Sequence, residues 1–232
     1  MVIGILQPSY LPWLGYFEQI YRSDVFVLYD DVQYDKHGWR NRNKIKTPKG
    51  TQWLTVPVYV NFNEYPLINE VKICNTQNWR RKHLLSIKHN YNKAPYYKDY
   101  IGIFEEAYSK NWEYLVDINI YFINKIIECL GIKNKKIVRS SMLGIEGDRI
   151  NRLINICKLF KADIFYEGSA GRNYINEKIF AENGIKVIFQ DYKHPVYNQL
   201  YGEFIPYLSI IDLLFNHGRE SLSILTNQKG VV

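Results

Sequence analysis

Four polar segments of this 232-residue chain hold the residue types that acid–base and anion-binding chemistry need. Asp30-Asp31-Val32-Gln33-Tyr34 sets two carboxylates side by side after an apolar run. Carboxylates so placed take up a proton, hold a cation or accept hydrogen bonds from sugar hydroxyls. The chain then enters residues 36–49, KHGWRNRNKIKTPK, where Lys36, Arg40, Arg42, Lys44, Lys46 and Lys49 meet no acid and account for +6 of a net +7. Trp39, Asn41 and Asn43 interleave with these cations, which suits a phosphate clamp or a nucleic-acid patch. Glu167-Gly168-Ser169-Ala170-Gly171-Arg172-Asn173-Tyr174 joins small residues to an Arg, so backbone N–H groups and Arg172 predict a nest for phosphate or carboxylate. Downstream, residues 190–199 (QDYKHPVYNQ) contain His194 and Tyr197, and His194 is the group suited to proton transfer near pH 7.

The elements that must position these groups follow from periodicity. Val2–Leu6 reads as a buried strand ended by Gln7 and Pro8, and Ser9 as the N-cap of a helix over Tyr10–Arg22 with Pro12 in its first turn. A strand turning into a helix in this way aims backbone N–H groups at a ligand. Gln7, Tyr10, Trp13, Gly15 and Tyr16 therefore become candidate substrate contacts. Asp24–Tyr29 reads as a second strand, completing a βαβ start. Residues 30–50 are too polar for a regular core element and end in the turn Pro48-Lys49-Gly50. Gln52–Val60 and Val71–Cys74 read as strands, and 77–90, 96–109 and Trp112–Leu130 as helices. The α/β pattern returns with strands at Ile137–Val138, Ala162–Tyr166 and Ile185–Phe189. The expected helices there are Gly147–Lys161, Tyr174–Asn183 and Tyr207–Asn216. Gly184 has the placement of a helix C′ residue. The expected architecture is α/β: a mainly parallel sheet flanked by helices, formed by residues 1–76 and 131–232, with a mainly helical insertion at 77–130.

Composition excludes several classes. An apolar fraction of 47% with 23% charge is that of a globular chain, not a disordered or collagen-like one. No apolar run approaches a membrane span, and the start lacks a signal peptide's basic region. Three scattered cysteines build neither a disulfide framework nor a four-ligand zinc site, so a cytoplasmic protein without a metal centre is expected. Twenty Tyr residues suit a polar, ring-lined cleft or, equally, a Tyr-rich core.

Taken together, LQPSYLPWLGYFEQI, FVLYDDVQYDKHGWRNRNKIKT, WLTVPV, KHLLSIKHNYNKAPYY, INICKLFKADIFYEGSAGRNYI, FQDYKHPVYNQL and LSIIDLLFNHG resemble the WbqC-like protein family over nearly the whole chain. That resemblance implies a bacterial protein of surface-polysaccharide (O-antigen, lipopolysaccharide) biosynthesis. The implied reaction is transfer of a glycyl or other acyl group to the amine of a nucleotide-linked amino sugar. Such a transfer needs a diphosphate site, a base for the amine and an oxyanion stabiliser. His194, Asp30 and Asp31 are the candidates for proton transfer. The candidates for binding substrate are the residues named around Pro8, together with Gln33, Trp39, Asn41, Arg42, Asn43, Lys44, Gly168, Ser169, Arg172, Tyr174 and Tyr197. The activated donor stays open among a CoA thioester, an acyl-adenylate made from ATP and an aminoacyl-tRNA, the last making tRNA a partner. Two other classes compete. Pro12-x-x-Gly15-Tyr16 resembles an adenylyl-transfer signature with both histidines missing, which keeps an ATP-dependent acyl-adenylating ligase in view. The basic segment with its aromatics keeps a non-catalytic RNA- or glycan-binding module in view. Asp30, Arg42, Asn43, Arg172 and His194 are expected to line one cleft.

Overall fold

The computed structural model describes residues 1–35 and 38–226; Lys36 and His37 of the basic segment lie outside them. In chain order the first elements are β1 (Val2–Leu6), α1 (Leu14–Arg22), β2 (Val25–Leu28), β3 (Arg42–Thr47), β4 (Gly50–Thr55), β5 (Val58–Tyr59) and β6 (Lys72–Ile73). Helices α2 (Trp79–Tyr91), α3 (Tyr97–Ser109) and α4 (Leu115–Leu130) follow. The remainder is β7 (Lys136–Arg139), α5 (Arg149–Leu159), β8 (Ile164–Glu167), α6 (Glu177–Glu182), β9 (Lys186–Phe189), α7 (Ile210–His217) and α8 (Ser221–Leu225). These elements fall into two units. The first comprises Met1–Gln7, Gly15–Asp31 and Lys133–Lys193, and the second comprises Pro8–Leu14, Val32–Ile132 and the chain from His194 onward.

The first unit is α/β, the expected fold class. Its five strands are all parallel in the order β7-β2-β1-β8-β9. Alternation along the strands explains how both faces are covered. Ile3, Ile5, Val25, Val27 and Phe165 point to one side and pack with Leu153, Ile154 and Cys157 of α5 and Phe180 of α6. Phe165 and Phe180 stack with centroids 5.5 Å apart. The opposite side carries Phe26, in edge contact with Tyr16 of α1. Gly4 lies there too, where a Cβ would come within 2.6 Å of Ser23 Oγ. Numbered by appearance within this sheet, the order is 3-2-1-4-5, so it reverses between β1 and β8. Open sheets of this kind bind ligands at that reversal, beyond the carboxyl ends of the strands.

The second unit holds the antiparallel hairpin β3–β4, the pair β5–β6, and helices α2–α4, α7 and α8. Its interior is aromatic: Tyr10, Tyr91, Phe104, Phe122 and Phe215 are all buried. The hairpin corrects the expectation that residues 30–50 lack a regular element. Asn43 and Lys46 looked too polar for a buried strand, yet each is satisfied there. The Asn43 amide donates to Leu11 O at 2.7 Å. The Lys46 ammonium donates to Gln199 Oε1 at 2.9 Å and Glu203 O at 2.6 Å.

Helix α1 starts at Leu14 rather than Tyr10. Leu11 precedes Pro12, and the ring disfavours helical backbone at the preceding residue; Leu11 takes φ +44° instead. Ser9 consequently caps nothing there and accepts from Arg40 Nη1 at 2.6 Å. Three later helices also begin after the expected residue, each at a side-chain cap. Asp148, Asn176 and Ser209 accept from first-turn amides of α5, α6 and α7. Gly184 closes the α6 turn at φ +72°, where a residue bearing a Cβ would be strained.

Candidate functional site

The carboxyl end of the parallel sheet presents the chain past β2, β7, β8 and β9 within the first unit. Just past β2, Asp30 is fully buried. Its carboxylate meets Arg139 Nε at 2.7 Å, Ser141 Oγ at 2.9 Å, Ser141 N at 3.0 Å and Ser140 Oγ at 3.2 Å. The Ser140 hydroxyl has one hydrogen, which its shorter bond to Asp31 takes, so the donors to Asp30 are Arg139 Nε, Ser141 Oγ and Ser141 N. Asp30 thereby locks the turn after β7 in place. Asp31 is the more open of the pair. It is bonded by Ser140 and by the Arg152 guanidinium. It also lines a pocket of about 390 Å³ with Ser141, Gly144, Ile145, Glu146, Gly147 and Arg152.

At the order reversal the last residue of β8 is Glu167. It follows Phe165 by two, so its side chain takes the same inward face, and it is only 5% exposed. Burial raises its pKa to about 7, although the Tyr174 hydroxyl, a Gly168 backbone bond and the Arg149 charge pull the other way. Tyr174 Oη donates to Glu167 Oε1 at 2.9 Å. The exposed Tyr174 ring itself lies under Arg149, whose Cζ is 3.8 Å from the centroid. Gly171 permits the close approach of the turn above, since a Cβ there would fall 2.3 Å from Glu167 Cγ. The 169–173 segment winds as a 3-10 turn, in which Gly171 N donates to Gly168 O and Tyr174 N to Gly171 O. The Gly171 and Tyr174 amides are thereby spent inside the turn. Arg172, over Phe189 at 4.6 Å, and Arg149 have no carboxylate partner among the described residues.

On the other face of the same sheet, Gln190 Nε2 donates to Gly15 O at 2.8 Å and Glu18 Oε2 at 2.7 Å. Tyr166 Oη donates to Glu18 as well, and Gln19 Nε2 donates to Gln190 Oε1 at 3.1 Å. Gly15 thus serves an internal polar network, and Tyr16 beside it is core. Gln7 sits at the end of β1, partly exposed.

Of the five residues expected to share a cleft, Asp30 and Arg172 belong to the first unit and Arg42, Asn43 and His194 to the second. In the second unit Tyr10 is buried, its hydroxyl 2.9 Å from His83 Nδ1 and bonded to Tyr108. Burial lowers the His83 pKa to about 4, so the imidazole is neutral. Asn41 donates to Val56 O and Asn43 to Leu11 O, both holding the hairpin. Tyr197 is buried and donates to Asp212, which is also bonded by Tyr91; burial raises the Asp212 pKa to about 6. His194 Nδ1 donates to Pro195 O at 2.8 Å and its Nε2 accepts from Tyr207 N at 3.2 Å. Both ring nitrogens therefore hold the local chain, and burial lowers its pKa. Tyr10, Tyr16, Asn43, Tyr197, Asp30 and His194 thus have structural uses that their residue types did not announce. Trp13 packs on Tyr207, while Gln33, Trp39, Arg42 and Lys44 lie at least partly exposed. A cavity of about 590 Å³ lies between the hairpin tip and α2, with Lys49 and His89 among its lining residues.

The model of one sequence family matches residues 7–224, nearly all of the chain. The chain belongs to the WbqC-like protein family. A relative, the uncharacterised protein Rv1507c of Mycobacterium tuberculosis, is 37% identical over 221 residues, covering 94% of this chain and 95% of that one. No solved structure matches the chain. Among the described residues of this WbqC-like protein, no helix is long and apolar enough to cross a membrane.

Within the first unit, sequence reasoning missed Glu167 and Arg149 as site residues. The available signal for Glu167 was its period-two relation to Phe165: a carboxylate on the inward face at a strand end.

Proposed function

We propose that this WbqC-like protein transfers an acyl or aminoacyl group, glycyl being one candidate, to the amine of a nucleotide-linked amino sugar for surface polysaccharide. The observation that carries this reading is Glu167, a buried carboxyl at the sheet's order reversal with a pKa of about 7. A general base works best when its pKa lies near the working pH. The acceptor amine attacks the donor carbonyl, a C–N bond forms, and the C–S or C–O bond to the leaving group breaks. The amine's proton passes to Glu167, through the Tyr174 hydroxyl that bridges the carboxyl and the surface.

Arg149 and Arg172 flank this position and suit a diphosphate, since a guanidinium binds phosphate through paired N–H donors. The pocket by Asp31 and Glu146 suits sugar hydroxyls as an acceptor-lined hollow. In the sheet order β2 and β8 are separated only by β1, two strand spacings or about 10 Å, a span that an extended nucleotide sugar covers.

The test is N-acylation of nucleotide-linked amino sugars with thioester, adenylate and aminoacyl-tRNA donors, comparing wild type with Glu167→Gln. The variant should bind nucleotide sugar as judged by thermal shift while losing turnover by roughly 10²–10⁴-fold. Full turnover in Glu167→Gln would remove the carboxyl from the mechanism.

A further inference from the structure

The β3–β4 hairpin carries a surface that this chemistry does not use. Trp39 and Trp53 are 45% and 42% exposed. Their ring centroids lie 5.5 Å apart with planes inclined by 34°. Indoles are among the most favourable side chains to bury, and a soluble chain that leaves two of them adjacent at the surface marks a contact site. Arg42 Cζ lies 4.7 Å and Lys44 Nζ 4.8 Å from the Trp53 ring. Strand register accounts for this: Lys44 is directly opposite Trp53, and Arg42 is two residues along the same strand. Residues at those positions share one face of a hairpin. No acid occurs in the sequence between Asp35 and Glu64, so the charges of this stretch are all positive.

Flat aromatic faces edged by cations complement a planar ring that carries a neighbouring anion. A nucleobase with its phosphate has that form. A neutral sugar would leave the cations unused, and the four residues of this face include no side-chain carboxylate or amide to accept from its hydroxyls. A phosphoserine or phosphothreonine peptide brings charge without a ring to stack, a phosphotyrosine brings one ring for two indoles, and a duplex hides its base faces. We propose that the hairpin face formed by Trp39, Arg42, Lys44 and Trp53 docks single-stranded nucleic acid, with successive bases on the indoles and their phosphates on the two cations. This surface stands on its own residues and is independent of the Glu167 chemistry.

The probe is a fluorescently labelled hexaribonucleotide, followed by anisotropy and by quenching of the protein's tryptophan emission. The intact protein should bind it with quenching, and more tightly than it binds a blunt duplex of the same sequence. Trp53→Ala should weaken binding by roughly 5- to 150-fold, the loss of one stacked base. Trp53→Phe, which keeps an aromatic face on the same strand, should recover most of that loss. The double variant Arg42→Gln/Lys44→Gln should reduce the slope of log affinity against log salt by about 1.4, two phosphates' worth on a single strand. Equal binding of duplex and single strand, or unchanged affinity in Trp53→Ala, would overturn the proposal. So would absence of binding at low salt.

Discussion

Asp30 and Glu167 stand at the carboxyl ends of two parallel strands of one sheet, both buried, and their surroundings give them opposite uses. Three donors converge on Asp30: Arg139 Nε, Ser141 N and Ser141 Oγ. Together they give the buried carboxyl hydrogen-bond partners at the end of β7 and in the turn after it. Glu167 has one side-chain donor, the Tyr174 hydroxyl, and desolvation outweighs it, so its proton is held until about pH 7. Burial alone therefore does not identify a catalytic carboxylate. The number of donors facing it decides whether it is an anchor or a base.

The largest expected effect breaks the anchor. Asp30→Ala strands the Arg139 guanidinium and the Ser141 amide and hydroxyl, which should cost about 3 kcal/mol of stability. In a chain of this size the melting temperature should fall by roughly 6–12 °C. An unchanged melting temperature would mean that the three donors find equivalent partners elsewhere.

The next effect lies in how stability varies with pH. The fold favours protonated Glu167, so the stability it contributes is complete below its ordinary pKa of 4.5 and is lost as pH rises through about 7. The loss is on the order of 2–3 kcal/mol. Asp212, raised from 3.8 to about 6, acts in the same direction over a lower window. His83, lowered from 6.5 to about 4, acts oppositely: its contribution is present above 6.5 and fades as pH falls towards 4. Because Asp212 and His83 are common to both proteins, subtracting urea-unfolding curves of Glu167→Gln from wild type isolates the Glu167 fall between pH 4.5 and 7. Parallel curves across that window would show that Glu167 is not shifted.

Gly171→Ala should be smaller, about 1–3 kcal/mol, because the new Cβ meets Glu167 Cγ and the turn must open. Tyr174→Phe should be smallest in stability, about 1 kcal/mol or less. Its larger effect falls on the proposed transfer, which loses the hydroxyl that passes the proton to Glu167 and should slow, and the residual rate carries a signature in titration. The lost hydrogen bond favoured ionised Glu167, so the acidic limb of the transfer rate should move to higher pH. A limb that stays in place would mean that the phenol does not hold the carboxyl in solution.

The sheet was legible in the sequence because its strands are short apolar runs. Val2–Leu6, Val25–Leu28 and Ile164–Glu167 keep their hydrophobic alternation within a residue or two of the expected bounds. The hairpin β3–β4 was not, because the polar atoms of Asn43 and Lys46 are satisfied by partners remote in sequence, Leu11, Gln199 and Glu203. The same physics hid the site. Asp30 and Asp31 stood out as a pair, yet the serines and arginines that separate their roles arrive more than 100 residues later. His194 looked suited to proton transfer by type, but its two backbone bonds form only in the folded chain. Trp53 read as one more aromatic in a strand until its register set it against Lys44 and near Arg42.

The most direct test of the contrast is a carbon-13 NMR titration of the side-chain carboxyls, with the Glu167 resonance assigned by its absence in Glu167→Gln. A midpoint near pH 7 for that resonance is the expected result. A midpoint near the ordinary 4.5 would contradict the account, leaving Glu167 ionised at neutral pH like any exposed carboxylate and without the matched pKa on which its role as base depends.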